Sequence, residues 1–328
     1  MLKVSVIITT HNRPHLLPRA VESARAASSG AVEVIVVDDA SREDTARVCR
    51  RLKDVRYVRL ERNEGVAGAR NHGILASRGE YLSFLDDDDV RLEGSLDWQI
   101  DALDSAPDAG FIYGQAILGL EDGSPTEGFY PAQCPSGDVF WELLSQNFVP
   151  CGTVVFRRSC LSRVGLLDTT IPGIDDWDMW VRIAEFYPVL SLARPVMVWR
   201  KSTPVSGQGT SDAVEIVGLS SRRFRENWSA LARVQQAPAR RRREVSRKFS
   251  FNMARHLLWE AVRSLAAGQL RRSLKNIFTA MRLCPSGVAR VLVRPKSFRF
   301  LLTHAPKERR SLKTSERRPS RQEARSGT

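Results

Sequence analysis

The stretch "YLSFLDDDDV" (residues 81–90) runs an apolar, strand-like segment straight into four aspartates. Unperturbed aspartates ionise near pH ~4, so all four would be charged at neutral pH. Carboxylates held this close repel and raise one another's pKa. Three readings fit Asp86, Asp87, Asp88 and Asp89. They could form a solvated turn in which one of them caps the helix suggested by "RLEGSLDWQIDAL" (91–103). They could form a calcium loop, but the EF-hand alternation of acids around a glycine is absent. Or they could hold Mg2+ or Mn2+ through one or two carboxylates, with substrate phosphates and water completing the shell.

The surroundings favour the third reading. "VSVII" (4–8) and "VEVIVV" (32–37) are rich in β-branched residues, and "YVRL" (57–60) precedes the quoted strand at an interval that leaves room for a helix. Between the first two runs Leu16, Leu17, Ala20, Val21 and Ala24 recur at helical spacing, with Pro14 placed to open a helix. Near-continuous apolar strands separated by helices predict a mostly parallel α/β sheet covered on both faces. Ligands of such sheets bind outside the carboxyl ends of the strands. Polar clusters stand at those ends: "TTHN" (9–12), "DDAS" (38–41) and "DDDD" (86–89).

Further strands are expected in "GFIYGQAIL" (110–118), "TVVFRR" (153–158) and "PVMVWR" (195–200). From about residue 212 the pattern turns helical. Ala254, Leu257, Leu258, Ala261, Val262 and Leu265 form one apolar face, and Leu270, Leu274, Ile277, Phe278 and Met281 another, ended by "CPSG" (284–287). The organisation read from this is a ligand-binding half (1–110), a second half of the same α/β domain (111–211), a basic helical region (212–304) and a disordered basic tail (305–328).

Charge separates these parts. Residues 231–328 carry 25 Lys+Arg and 5 Asp+Glu, a net of +20, whereas residues 1–230 carry 25 and 32, a net of −7. A basic third on an acidic body predicts a polyanion or an anionic membrane surface as partner, against a plain solvated basic face. "RVLVRPKSFRFLL" (290–302) mixes cations with apolar residues as interfacial segments do. Five cysteines without a C-x-x-C pair fit a reducing compartment and offer no zinc spacing. No signal-peptide pattern opens the sequence and no apolar run reaches the ~20 residues that cross a bilayer. The expected location is cytoplasmic, peripheral on the inner face of the membrane.

Other motifs add chemistry. An acid after a strand, as in Asp38 and Asp39, can accept from a ligand ring N–H or ribose hydroxyl, or Asp39 or Ser41 can cap the next helix. "NEGVAGARNHG" (63–73) sets Gly65 and Gly68 where backbone turns or approaches a partner, with Arg70 able to face a nucleotide. It is neither G-x-G-x-x-G nor a Walker loop, which argues against dinucleotide oxidoreductases and P-loop NTPases. "GIDDWDMW" (173–180) places Asp175, Asp176 and Asp178 among Trp177 and Trp180. A carboxylate beside indoles has its pKa raised by desolvation, as suits a general base, and tryptophans offer platforms for sugar faces. The alternative is an amphipathic helix with half-buried indoles and solvated acids. The scattered histidines make no metal pair, and no nucleophile elbow supports Ser-His-Asp chemistry.

Four of these segments, "VSVIITTHNRPHLLPRAVES" (4–23), "VEVIVVDDAS" (32–41), "RNEGVAGARNHGILASRGEYLSFLDDDD" (62–89) and "GIDDWDMWVRIAEF" (173–186), resemble family 2 glycosyltransferases of the GT-A fold in order and spacing, over roughly residues 3–205. The resemblance implies inverting transfer of a sugar from a nucleoside-diphosphate donor, a UDP-sugar favoured, with Mg2+ or Mn2+. The acceptor it implies is a glycan or lipid-linked hydroxyl of a bacterial surface glycan or glycolipid. On that resemblance Thr9, Thr10 and His11 touch the donor base, His11 standing for a commoner Tyr. Asp38 or Asp39 holds base or ribose, with Arg70 close by. The D-x-D maps to Asp86 and Asp88, with Asp88 the metal ligand and Asp86 or Asp87 on metal or ribose. Asp176 is the catalytic base, and Asp175 and Trp177 face the acceptor.

The sequence departs from the family where a His commonly follows the last strand and this chain reads "WRKSTPVSGQG" (199–209). The Q-x-x-R-W motif of processive synthases is absent, which favours single additions. A sugar nucleotidyltransferase on a similar sheet, releasing pyrophosphate, is one alternative. A nucleic-acid-binding protein acting through the basic third is another. Nucleic acid is not the expected partner, because the aromatics there sit at helical, core-like spacing.

Overall fold

β-Branched side chains are stiff about χ1 and pack well on a pleated surface. The four apolar runs of the first half accordingly form strands: β1 Val4–Thr10, β2 Val32–Asp38, β3 Val55–Arg59 and β4 Tyr81–Asp86. This computed structural model describes residues 2–200 and 212–293. Parallel neighbours need long crossovers, here α1 Leu17–Ala26, α2 Thr45–Arg51 and α3 Gly65–Ala76. Pro18, rather than Pro14, occupies the first turn of α1, where a missing N–H costs nothing.

The second half adds β5 Val90–Arg91, α4 Ser95–Asp104, β6 Phe111–Gly119, β7 Pro125–Tyr130 and α5 Phe140–Ser145. β8 Val155–Arg157, α6 Leu161–Val164, α7 Asp175–Ala184 and β9 Val189–Arg200 follow. One sheet results, in the order β3-β2-β1-β4-β8-β6-β9-β5, with β7 paired to β6. β3, β2, β1 and β4 run parallel, as do β6 and β9, while β8 is antiparallel to β4 and β6. Sequence reading missed β5, only two residues long, and β7, whose "PTEGFY" opens on proline and alternates poorly.

Alternation along β1 assigns the two faces. Val4, Val6 and Ile8 share a core with Leu17, Ala20, Val21 and Ala24 of α1 and with Leu96, Ile100 and Leu103 of α4. Ile7 faces α3, and a Cβ at Gly73 would stand 2.3 Å from Ile7 Cγ2. Only glycine at 73 lets that helix lie so close. α7 is seated by Trp180, fully buried, whose ring centroid lies 5.3 Å from Phe111, 5.7 Å from Phe156 and 6.4 Å from Phe84.

From residue 212 the chain is helical, as expected, in Ala213–Glu226, Ala239–Ala266, Leu270–Leu283 and Pro285–Val293. "CPSG" ends one helix at Leu283 and, through Pro285, opens another. Residue contacts divide the chain into two compact units, Met1–Asn252 and Met253–Thr328. All five cysteines are free thiols. Among the described residues no helix is long and apolar enough to cross a membrane. Residues 201–209, 294–302 and 305–328, which bear on the missing His, the interfacial segment and the basic tail, lie outside the described residues.

Candidate active site

Strand register brings the polar clusters together. Thr10 pairs with Asp38 and Thr9 with Asp86, so the carboxyl ends of β2, β1 and β4 lie side by side. This is the edge where parallel sheets bind ligands.

The four aspartates have four environments. Asp86, at the end of β4, stays partly open and lies 3.0 Å from Arg70 Nη2. Asp87 is buried; Thr10 Oγ1 donates to it at 2.6 Å and Arg13 Nη2 stands 2.7 Å away. Burial outweighs both partners and pushes the Asp87 carboxyl up to about 7. Asp88 meets Arg13 Nη1 at 3.3 Å, and burial, reinforced by Asp86, raises its pKa. Asp89 caps no helix: Gly94, at φ 68°, precedes α4. Its Oδ1 instead accepts the Arg200 N–H at 2.9 Å, tying the end of β9 to the cluster, and burial holds its carboxyl well above the usual range.

The neighbouring loop divides its labour similarly. Asp38 is fully buried and accepts from Ser41 N at 2.8 Å, Tyr57 Oη at 2.6 Å and Arg59 Nη1 at 3.0 Å. These bonds commit both its oxygens to the fold. Asp39 Oδ1 accepts the Glu64 N–H at 2.7 Å, fastening the start of α3, and burial raises its pKa. The cap of α2 is Asp44, so neither Asp39 nor Ser41 serves there. Thr9 is buried beside Asp86 in register, while His11 is exposed with Nδ1 2.6 Å from the Asp39 carbonyl. An open cavity of about 420 Å³, lined by Arg62, Asn63, Glu64 and Thr169, adjoins Asp39, to whose carbonyl Asn63 donates at 3.4 Å.

Arg70 joins the two acidic motifs. Buried on α3, it donates through Nη2 to Asp86 and through Nη1 to Asp175 Oδ2 at 3.2 Å, with its guanidinium over the Phe84 ring. Asp175 and Asp176 open α7, where a helix dipole favours acids. Asp176 Oδ1 accepts the Trp177 N–H at 2.6 Å, yet burial and the Asp175 charge push its carboxyl up to about 7. That is the range of a general base at neutral pH.

Two expectations change here. Trp177 offers no sugar platform: it is 4% exposed, donates from Nε1 to Leu143 O at 2.7 Å and packs on Trp228, centroids 4.8 Å apart. Asp178 is not solvated but fully buried, accepting from Arg182 Nε at 2.8 Å, Arg223 Nε at 2.7 Å and Trp228 Nε1 at 2.8 Å. Sequence reading also missed Arg13 and Cys151. Arg13 was legible in principle, because a four-aspartate cluster needs a cation and "THNRP" supplies one in the loop after the adjacent strand. Cys151, a thiol within electrostatic reach of Arg70, Asp176, Asp86 and Asp175, left no signal in the sequence.

The carboxylates fit a hard divalent cation. Burial and mutual repulsion leave Asp87 and Asp88 with raised pKa values despite Arg13, so the cluster is short of positive charge. Arg70 and Arg13 each take one oxygen of Asp86 and Asp88, leaving each carboxylate a second oxygen. Among the described residues no three His, Cys, Asp or Glu side chains form a metal group. The protein's share of a shell would therefore be these two carboxylates, with phosphate and water oxygens completing it.

Residues 5–165 match the profile of glycosyl transferase family 2. Over these residues, just under half of its length, the chain is similar to that family. A glycosyltransferase from Haemophilus influenzae is 26% identical over 182 residues, 56% of this chain and 62% of the relative, which is less than two thirds of its length. The Escherichia coli UDP-Glc:alpha-D-GlcNAc-diphosphoundecaprenol beta-1,3-glucosyltransferase WfaP is 28% identical over 184 residues, 55% of this chain and 69% of that one. Among solved structures, the mannosyltransferase PcManGT from Pyrobaculum calidifontis, in complex with GDP-Man and Mn2+, superposes with a TM-score of 0.54 at 19% identity. It covers 92% of this chain and 83% of its own. The fold is GT-A.

Proposed function

We propose that this protein is an inverting glycosyltransferase that moves a sugar from a nucleoside-diphosphate donor, UDP favoured, to an acceptor hydroxyl. The observation that carries the reading is the Arg70 bridge. It ties Asp86, next to Asp88, to Asp175, next to Asp176, at one edge of a parallel sheet. In this reading Asp86 and Asp88 serve the diphosphate end, and half-buried Asp176, its carboxyl pushed up to about 7, is the base.

In this reading the donor base and ribose lie along Thr9, Thr10, His11 and Asp39, with Asp38 shaping that loop through its three internal bonds. The cavity beside Asn63 and Glu64 gives the base room. Asp86 and Asp88 would hold Mg2+ or Mn2+, which, when bound, would neutralise charge on the departing diphosphate. Asp87 and Arg13 keep those carboxylates in place. Asp176 takes the acceptor proton. The freed oxygen attacks the anomeric carbon as the sugar–phosphate bond breaks on the opposite side, inverting configuration. Asp175, held by Arg70, fixes the first turn of α7 against the acceptor.

General-base assistance supplies typically ~10²–10⁴-fold, so positioning and phosphate-charge stabilisation carry the remainder. The Escherichia coli relative glucosylates a diphosphoundecaprenol-linked sugar, which supports a lipid-linked acceptor and bacterial surface glycan synthesis for this chain. Such an acceptor lies at a membrane surface. Incubation with a panel of nucleotide sugars and Mn2+ or Mg2+ tests the proposal. Metal-dependent release of nucleoside diphosphate is expected; release of pyrophosphate would instead indicate nucleotidyl transfer, and no turnover of any donor would count against both.

A further inference from the structure

The helix Leu270–Leu283, "LRRSLKNIFTAMRL", faces the wrong way for a helix surrounded by water. Its buried side chains are Ser273, Asn276 and Ala280. Asn276 is fully buried with neither amide atom hydrogen-bonded. Four of its large apolar side chains point out: Leu270, Leu274 and Phe278 are each 57% exposed and Met281 44%, while Ile277 and Leu283 are half-buried. Steps of four, four and three residues hold these four within about 80° of arc and along roughly 17 Å of helix. A continuous outward stripe of this kind marks an interaction surface, not ordinary scattered exposure.

The charges around the stripe identify its partner. Arg271, Lys275 and Arg282 each follow a stripe residue by one position, so they line one edge of it, and the helix contains no acid. The Arg282 guanidinium lies over the Phe278 ring, 5.7 Å from its centroid, with its stem along the apolar face. Residues 253–293 hold seven Lys+Arg against one Asp+Glu. A second copy of this chain docked symmetrically on the stripe would set these cations against their own copies. Nucleic acid would use the cations but leave Leu270, Leu274 and Met281 without partners, since single strands are bound by stacking aromatics.

We propose that this face seats in the headgroup–acyl boundary of an anionic membrane. Leu270, Leu274, Phe278 and Met281 insert, and Arg271, Lys275 and Arg282 meet lipid phosphates. The inference deepens the membrane-side acceptor reading and rests on it only for its purpose; the surface itself stands on the helix.

Co-sedimentation of the full chain with phosphatidylglycerol-containing and with pure phosphatidylcholine vesicles tests it. The wild-type chain is expected to bind the anionic vesicles, with affinity falling as salt rises. Leu274→Glu/Phe278→Glu is expected to bind at least about tenfold more weakly. A milder Leu274→Ser/Phe278→Ser pair, with an unchanged unfolding midpoint, separates this loss from misfolding. Wild-type protein that fails to bind, or double variants that bind as well as wild type, would overturn the proposal. So would a wild-type dimer that the substitutions dissociate in the absence of lipid. Donor turnover in lipid-free buffer is read in parallel: it should survive the substitutions, and its absence from vesicle-binding wild-type protein would fault the transferase reading alone.

Discussion

Arg70 and Asp175, 105 positions apart in the chain, meet as an ion pair of 3.2 Å, and the same guanidinium reaches Asp86 at 3.0 Å. One side chain on α3 therefore sets the spacing between the acids after β4 and the acids that open α7.

Removing that side chain should be costly. Arg70→Ala leaves Asp175 buried and unpaired, a loss of about 3–5 kcal/mol for a broken buried pair. Arg70→Lys keeps the charge but lacks the planar fork that spans two carboxylates, so a smaller loss is expected. Because the Arg70 charge draws the Asp176 pKa down against burial, Arg70→Ala should move the acid limb of the pH–rate profile upward, and Arg70→Lys should move it less. Denaturant unfolding and a pH profile measure the two effects. An unmoved profile would show that Arg70 does not act on the base.

Asp176 and Asp88 should separate chemistry from binding. Asp176→Asn is expected to lower transfer by at least ~10²-fold while donor affinity is retained. Asp88→Ala should instead weaken donor binding specifically in the presence of Mn2+. Calorimetric titration with a UDP-sugar, set beside a transfer assay, distinguishes the two. Unimpaired turnover by Asp176→Asn would remove its assignment as base.

Two pH dependences follow from the raised carboxyls. As a base, Asp176 would act only when ionised, so transfer should rise with pH through about 7 and then level off. Stability should run the other way. The native carboxyls of Asp87 and Asp176, pushed up to about 7, hold protons that the unfolded chain has already released near pH ~4. The unfolded state binds fewer protons across that window, so their contribution to stability falls as pH rises from about 4 to about 7. Asp87→Asn should flatten the fall seen by calorimetry. Mn2+ should raise the unfolding temperature more above pH 7 than below it.

Asp178 should matter to folding and not to the donor. It is fully buried between Arg182, Arg223 and the Trp228 indole. Asp178→Ala orphans these donors at a cost of about 3–5 kcal/mol. The unfolding temperature should drop by several degrees, with the dissociation constant for a UDP-sugar unchanged in the protein that remains folded. A changed donor constant with unchanged stability would reverse this assignment.

The helical wheel and the strand pattern carry much of the fold. Val4–Thr10, Val32–Asp38 and Tyr81–Asp86 announce themselves through β-branched and apolar runs, because buried parallel strands need apolar side chains on both faces. Their polar ends follow from the same topology. β5 and β7 were invisible because a two-residue strand and a proline-led hairpin arm are defined by their neighbours, not by their own pattern.

Roles within the acidic motifs are a different matter. By itself the sequence determined that acids gather at the ends of β2 and β4 and at the start of α7, since residue type and strand order are local and periodic properties. Only the tertiary structure decided which acid does what. Asp89 holds Arg200, Asp38 holds Tyr57 and Arg59, Asp178 holds Trp228, and Trp177 turns inward onto Leu143. Asp86, Asp88 and Asp176 are left at the edge. The reason is that burial and partner geometry, which fix a carboxylate's charge and its free oxygens, depend on residues many positions away: Arg13 for Asp87 and Asp88, and Arg70 for Asp86 and Asp175.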